Sequence, residues 1–319
     1  GDLLRNKCKA IVSHSKKTLN ELSEFFNCTE IDKLLIHLDI GVTRKASLSS
    51  APVFNNKNDI TFLFQASASN TLSNFYTRGG VVSIMAALNI ISKAKNDLKT
   101  NKSLKFIFRS PRPDDRFFKE NGVNIEILLN EEKKGNIIWI EHRLSQIEVD
   151  NLMSSADFLL MLGASLHSDA IISAMRSRTT PVIIDSPDYR IYVDNDSAII
   201  INGIYKDISS QVKLSGLTKT YENYDKYKKH QNLIVKKAVS NITYYLAHLD
   251  KVNFLIENAF HLYEDQFSGK KFLSKFEDVL FTLNKNQSNN CESSNPLILG
   301  EVYIEDINKS WFETSPQPI

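Results

Sequence analysis

The sequence predicts an α/β protein built on a parallel, doubly wound sheet. Three observations carry that expectation. Short runs of β-branched and aromatic residues recur between Ile60 and Ile201, at the length of strands rather than helices. Most are separated by segments whose apolar residues return at helical spacing. Strands spaced by helices need right-handed crossovers, which give a parallel sheet covered on both faces.

The elements follow in chain order. Ala10-Ile11-Val12 is a short apolar run. Ser15 is a candidate N-cap for a helix carrying Leu19, Leu22 and Phe26 on one face. Leu34 to Ile40 is a second apolar run, stopped by Gly41. Residues 43 to 59 are polar, hold Pro52 and several Asn, and read as a linker. Ile60-Thr61-Phe62-Leu63-Phe64 is a buried-strand candidate, and Val81, Ile84, Met85, Leu88 and Ile91 then recur at helical spacing. Leu104 to Phe108 is the next strand, and Ile125–Leu128 and Ile137–Ile140 read as two more. Residues 146 to 156 read as a helix with Ile147, Leu152, Met153 and Ala156 inward. Phe158–Leu162 is a strand, Ala170–Arg176 a helix, and Val182–Asp185 and Ala198–Ile201 are strands. From about 206 to 285 the chain is polar and helical, with Leu246, Leu249, Phe254, Ile256, Phe260, Tyr263 and Phe267 as its apolar residues. The last thirty or so residues read as loop and tail.

Composition narrows the partners. The chain has 319 residues, with 39 basic against 37 acidic and a formal net charge of +2. That balance argues against nucleic acid, which asks for a clear basic excess, and leaves room for one phosphorylated small molecule. The three cysteines, Cys8, Cys28 and Cys291, are far apart and outside any CxxC spacing. A metal site or disulfide framework is not expected, and a reducing compartment is. Gly1-Asp2-Leu3-Leu4-Arg5 does not read as a signal peptide. No apolar run approaches the roughly 18 residues of a membrane span. The expected location is the cytoplasm, with peripheral attachment at the membrane as a variant.

A doubly wound sheet takes its ligand outside the carboxyl ends of its strands, at the topological switch point. Three loops leave strands there with polar residues worth weighing. Gln65 to Gly80 ends in Arg78-Gly79-Gly80 before an amphipathic helix. A guanidinium beside a helix N-terminus suits a diphosphate; a glycine turn with a solvated Arg78 is the plainer alternative. Arg109-Ser110-Pro111-Arg112-Pro113 puts two arginines at a strand end, as phosphate ligands or as ordinary surface charge. Gly163 to Asp169 opens a helix that Ser168 or Asp169 can cap, with His167 as a base or a structural histidine. GxGxxG, the P-loop, GxSxG and HExxH are all missing from the sequence.

Between Ile137 and Asn202 the order of features resembles the C-terminal, donor-binding domain of family-4, retaining glycosyltransferases of the GT-B fold. The matching pieces are Arg143-Leu144-Ser145, Glu148 to Leu152, Ser155-Ala156-Asp157-Phe158, Ser165-Leu166-His167-Ser168, Ala174-Met175-Arg176 and Thr180-Pro181-Val182-Ile183. Ile60 to Leu88 is similar to the family's first donor-domain strand, phosphate loop and helix. Val12 to Gly41 is similar to the close of its acceptor domain, and Phe267-Ser268 to the late helix that crosses back.

The resemblance implies a GT-B-like Rossmann donor domain with part of a second Rossmann-like acceptor domain. Residues 1–50 would end the acceptor domain, whose first strands, about a hundred residues by ordinary domain size, would precede Val12. Residues 57–235 would bind the donor, 240–285 would cross back, and 286–319 would be tail. The implied activity is transfer of a sugar from a nucleotide-diphosphate sugar to a glycan, lipid or protein, with retention, no cofactor and no essential metal. The implied donor ligands are Ser67, Arg78, Gly79, Arg109, Arg112, Ser165, Ser168 and Ser173, and the implied catalytic residues are His167 and Asp169. The chain departs from the family at its phosphate loop, where Gln65-Ala66-Ser67 and Arg78-Gly79 stand for a Gly-Arg and a Lys-Gly. It departs again at two glutamates with seven residues between them, where Ser165 and Ser173 or Ala174 stand. Those departures motivate a second expectation, a non-catalytic subunit that stabilises or positions an active glycosyltransferase chain. A nucleotide-sugar epimerase or synthase on the same fold is the third.

Overall fold

The computed structural model describes residues 11–13, 35–37, 59–66, 72–96, 102–163, 168–186, 189–201 and 218–288. The chain divides into two compact units, 1–275 and 276–319.

The described residues of the first unit form two parallel sheets. The smaller pairs β1 (Ile11–Ser13) with β2 (Leu35–His37), Ile11 opposite Leu35. The larger has six strands: β3 (Asp59–Gln65), β4 (Ser103–Arg109), β5 (Ile137–Trp139), β6 (Phe158–Met161), β7 (Thr180–Ile184) and β8 (Ile199–Ile201). Their order is β5-β4-β3-β6-β7-β8, all parallel. The chain builds outward from β3 to one edge, returns to β6 beside β3, and builds outward again. The switch point therefore lies between β3 and β6.

Period-two side chains put one hydrophobic core on each face. Ile60, Phe62 and Phe64 of β3 join Phe106, Phe108, Phe158 and Leu160 in the first core, while Leu63, Leu159, Met161 and Ile183 point into the second. The Phe62 ring stacks on Phe106 at 4.4 Å and on Phe158 at 4.8 Å, so one ladder of rings ties the three central strands. Buried Asp157 locks the same place: its carboxylate accepts from the Thr61 N–H at 2.8 Å, and its own N–H donates to the Thr61 carbonyl.

The first core is covered by α1 (Leu72–Thr77), α2 (Gly80–Asn96), α3 (Asp115–Glu120), α4 (Ile125–Lys133) and α7 (Thr218–Ala247). The second is covered by α5 (Gln146–Ser155), α6 (Ser168–Arg176) and a π-turn, Tyr263–Phe267. Helix α8 (Leu249–Leu262) gives Val252, Leu255 and Ile256 to the first core and Ala259 to the second. A last helix, α9 (Gly269–Ser288), runs past the unit boundary; of the second unit its residues 276–288 are described, with Phe276 and Phe281 exposed.

Two sequence expectations change. Ile125–Leu128 is not a strand but the start of α4, capped by the Asn124 side chain, which accepts from the Ile127 N–H at 3.1 Å. Ile147 does not face inward; it is 74% exposed, and Met153 and Ala156 are the buried residues of that segment. Beyond residue 240, burial in the two cores continues through Leu246 to Phe267. The helix expected after Ser15 and most of the linker expected at 43 to 59 lie outside the described residues.

Candidate functional site

Loops from the carboxyl ends of four strands converge at the switch point. After β3 the chain passes through α1, turns at Arg78 and Gly79, and enters α2 at Gly80. Gly79 has φ +84°, donates to the Tyr76 carbonyl at 2.9 Å, and accepts from the Ser83 N–H at 2.8 Å. It thus stands as the last residue before the helix, in a conformation that favours glycine. It brings no capping side chain, and α2 has no acid in its first turn. The first-turn N–H groups lack intrahelical acceptors, and the positive end of the helix dipole is left uncompensated by any acid of that turn.

Arg78 is half-buried beside this N-terminus. No described carboxylate or hydrogen-bond acceptor engages its guanidinium. Burial lowers its pKa to about 10; buried Tyr189, on the segment after β7, pulls it up, and the charge of Arg109 pushes it down. Arg109 ends β4 opposite Gln65, the last residue of β3. Its guanidinium donates to Gln65 Oε1 at 2.9 Å, and its carbonyl accepts from the Ala66 N–H at 3.1 Å. Burial lowers its pKa as well. Two partly desolvated cations within electrostatic reach of each other, with no described acid beside them, are complementary to an anion.

Arg112 is differently employed. Its Nε donates to Glu132 at 2.7 Å, its Nη2 to Asp115 at 2.8 Å and its Nη1 to the Pro113 carbonyl at 3.0 Å, and it lies over the Phe118 ring. Burial lowers its pKa, but the hydrogen bonds and charges of Glu132 and Asp115 outweigh burial and leave it raised. Its fork holds the loop after β4 on α4 and α3.

The loop after β6 meets the loop after β3 backbone to backbone. A Cβ on Gly163 would lie 2.2 Å from the Arg78 carbonyl carbon, and one on Gly79 would lie 2.4 Å from that of Leu162. Neither Gly163 nor the Gln65 anchor of Arg109 was singled out from sequence. With only 11 glycines in 319 residues, one just past a buried strand was the available signal. On α6, Asp169 is exposed in the first turn and Ser173 is half-buried one turn on. Ser168 opens that helix, while Ser67, Ser165 and His167 lie outside the described residues.

A cavity of about 340 Å³ lies between α2 and α4, lined by Met85, Asn89, Gly122, Ile127 and Glu131 among others and by none of the arginines above. Among the described residues no group of three or more His, Cys, Asp or Glu could hold a metal ion. No described helix is long and apolar enough to cross a membrane.

No family model matches the sequence, and no curated protein matches it. Solved structures do. The pneumococcal O-GlcNAc transferase GtfA, in complex with UDP and GlcNAc, is 12% identical with a TM-score of 0.55, covering 86% of this chain and 45% of that one. A glycosyltransferase from Rickettsia africae is 14% identical with a TM-score of 0.56, covering 88% and 65%. Anabaena HepE in complex with UDP is 11% identical with a TM-score of 0.56, covering 89% and 66%. The chain therefore spans less than two thirds of each of these structures. At such identities the likeness establishes architecture: this is the Rossmann-like α/β fold of the GT-B glycosyltransferases.

Proposed function

We propose that this chain binds the donor of a retaining glycosyltransferase of the family-4 type, passing a sugar from a nucleotide-diphosphate sugar to a glycan, lipid or protein in the cytoplasm. One observation carries the reading: Arg78 and Arg109 stand half-buried, with no described acid beside them, at the mouth of the switch point. The Arg78 fork suits two phosphate oxygens, the open N-terminus of α2 adds backbone donors, and Arg109 replaces the second cation of the family's phosphate loop. As the glycosidic bond breaks, charge grows on the leaving diphosphate, so donors fixed there stabilise the transition state more than the ground state. The guanidiniums supply the positive charge in place of a cofactor or metal. Ser67 would support the phosphates, Ser165 and Ser168 the sugar and Ser173 the ribose, while Asp169 and His167 would supply the polar contacts at the reacting carbon. UDP is the first nucleotide to try, since GtfA and HepE were both solved with it.

Calorimetric titration with UDP tests the reading. Arg78→Ala removes a charge-assisted contact worth about 1.5–3 kcal/mol, so affinity should fall about tenfold to a hundredfold. Unchanged affinity would take Arg78 out of the site. A second reading, a non-catalytic subunit of an active glycosyltransferase chain, is favoured by one observation: α6 carries Ser173, and no carboxylate, at the position the resemblance gives to the ribose-gripping glutamate. A thermal-shift screen of nucleotide sugars separates the two. A donor at a hundred times its dissociation constant adds about 2.7 kcal/mol of stability, and silence from every donor leaves the subunit.

A further inference from the structure

Two backbone runs from different loops lie against each other here with no side chain between them. On the loop after β3 they are Thr77, Arg78 and Gly79; on the loop after β6 they are Leu162 and Gly163. The fit is mutual. A Cβ on Gly163 would come within 2.4 Å of the Thr77 carbonyl oxygen and 2.5 Å of Arg78 Cα. A Cβ on Gly79 would come within 2.5 Å of the Gly163 nitrogen and 2.7 Å of the Leu162 oxygen. All of these are backbone atoms, which cannot rotate away as a side-chain tip can. Leu162 and Gly163 are both buried, and β6, which leads into them, is buried along its whole length, so the β6 side of the contact is the firmer one. By contrast, Gly122 and Gly135 also have positive φ, but nothing lies within 4 Å of where their Cβ would be. Those two are turn glycines, whereas Gly163 has a negative or extended φ and is glycine for space alone.

From this we infer that Gly163 is a positioning residue for Arg78: the end of β6 is the surface against which the Arg78 backbone is set, and any side chain there moves the guanidinium off the anion. The inference rests on the reading of Arg78 as an anion ligand. It adds that the strand on the far side of the switch point decides where that ligand stands.

The experiment uses the full chain and inorganic pyrophosphate. Gly163→Ala should weaken pyrophosphate binding about tenfold, and in an Arg78→Ala background the same change should alter the remaining affinity less than twofold. Gly122→Ala, a glycine replacement in open space, should leave affinity within twofold. Equal weakening by Gly163→Ala with and without Arg78 would mean a general structural loss and would overturn the proposal. If Gly163→Ala does not fold, hydrogen exchange on the unaltered chain decides: pyrophosphate should slow the amides of 77–80 and of 162–163 with one concentration dependence. Protection confined to 77–80 overturns the inference while leaving Arg78 in the site. No pyrophosphate binding by the unaltered chain overturns both.

Discussion

Arg78 and Arg112 sit on neighbouring loops, carry the same charge and are spent in opposite ways. Burial disfavours the Arg78 cation in the folded chain, so its pKa falls below the ordinary arginine range, to about 10. The sign follows from proton counts. Between about pH 10 and the ordinary range the unfolded chain holds more protons, so this group's contribution to stability rises with pH there. Below pH 10 both states are protonated and its full cost is present. Removing the charge should then relieve the fold: at neutral pH, without ligand, Arg78→Ala should melt no lower than the unaltered chain. Arg112→Ala should lose about 1–3 kcal/mol, because it removes the charged hydrogen bonds to half-exposed Asp115 and to Glu132, which keeps its bond from Trp139. A calorimetric scan of both variants checks this, and an Arg78 variant that melts below the Arg112 variant would contradict it.

At the scale of elements, the strands were the most legible part. β3, β6 and β7 hold apolar runs of strand length, as strands buried on both faces do, and β4 buries Leu104, Phe106 and Phe108 in alternation. α4 was misread for the same reason in reverse: Ile125-Glu126-Ile127-Leu128-Leu129 is rich in β-branched and apolar residues. Its helical signals were Asn124 as cap, Glu126 in the first turn and Lys133 in the last. That helix also bears on the site. The partner that occupies Arg112 is Glu132, 20 residues on, and it can reach back because that segment is a helix. Arg78-Gly79-Gly80 could be read from the chain as a turn before a helix. The meeting of Gly79 with Gly163 could not, since it depends on two strands being neighbours in space. The cap gives a direct test of α4. Asn124→Ala should cost about 1 kcal/mol, seen as a lower denaturation midpoint with an unchanged slope; no effect would mean that the cap contributes nothing.

At the scale of the whole molecule, the sheet has two halves that meet at one seam. β3, β4 and β5 are successive in the chain and pair with their sequence neighbours. β6 must come back to β3, and the bond from Thr61 to Asp157 that marks the seam spans 96 residues. Phe62 is held on both sides, by Phe106 from its own half and Phe158 from the other, so its ring ladder is complete only once the seam has closed.

That seam bears on the order of events in time. Contacts distant in sequence demand the most loop-closure entropy and tend to form late. The first half can assemble from near neighbours, with β6 docking afterwards. The place where Arg78 meets Gly163 then does not exist in the transition state for folding, and a ligand bound there recognises only the finished molecule. Interactions absent from the transition state slow unfolding and leave the folding rate alone. Stopped-flow measurements with and without saturating UDP should give the same refolding rate and a slower unfolding rate. Faster refolding with nucleotide would mean that the two halves join early and that the chain is born around its ligand.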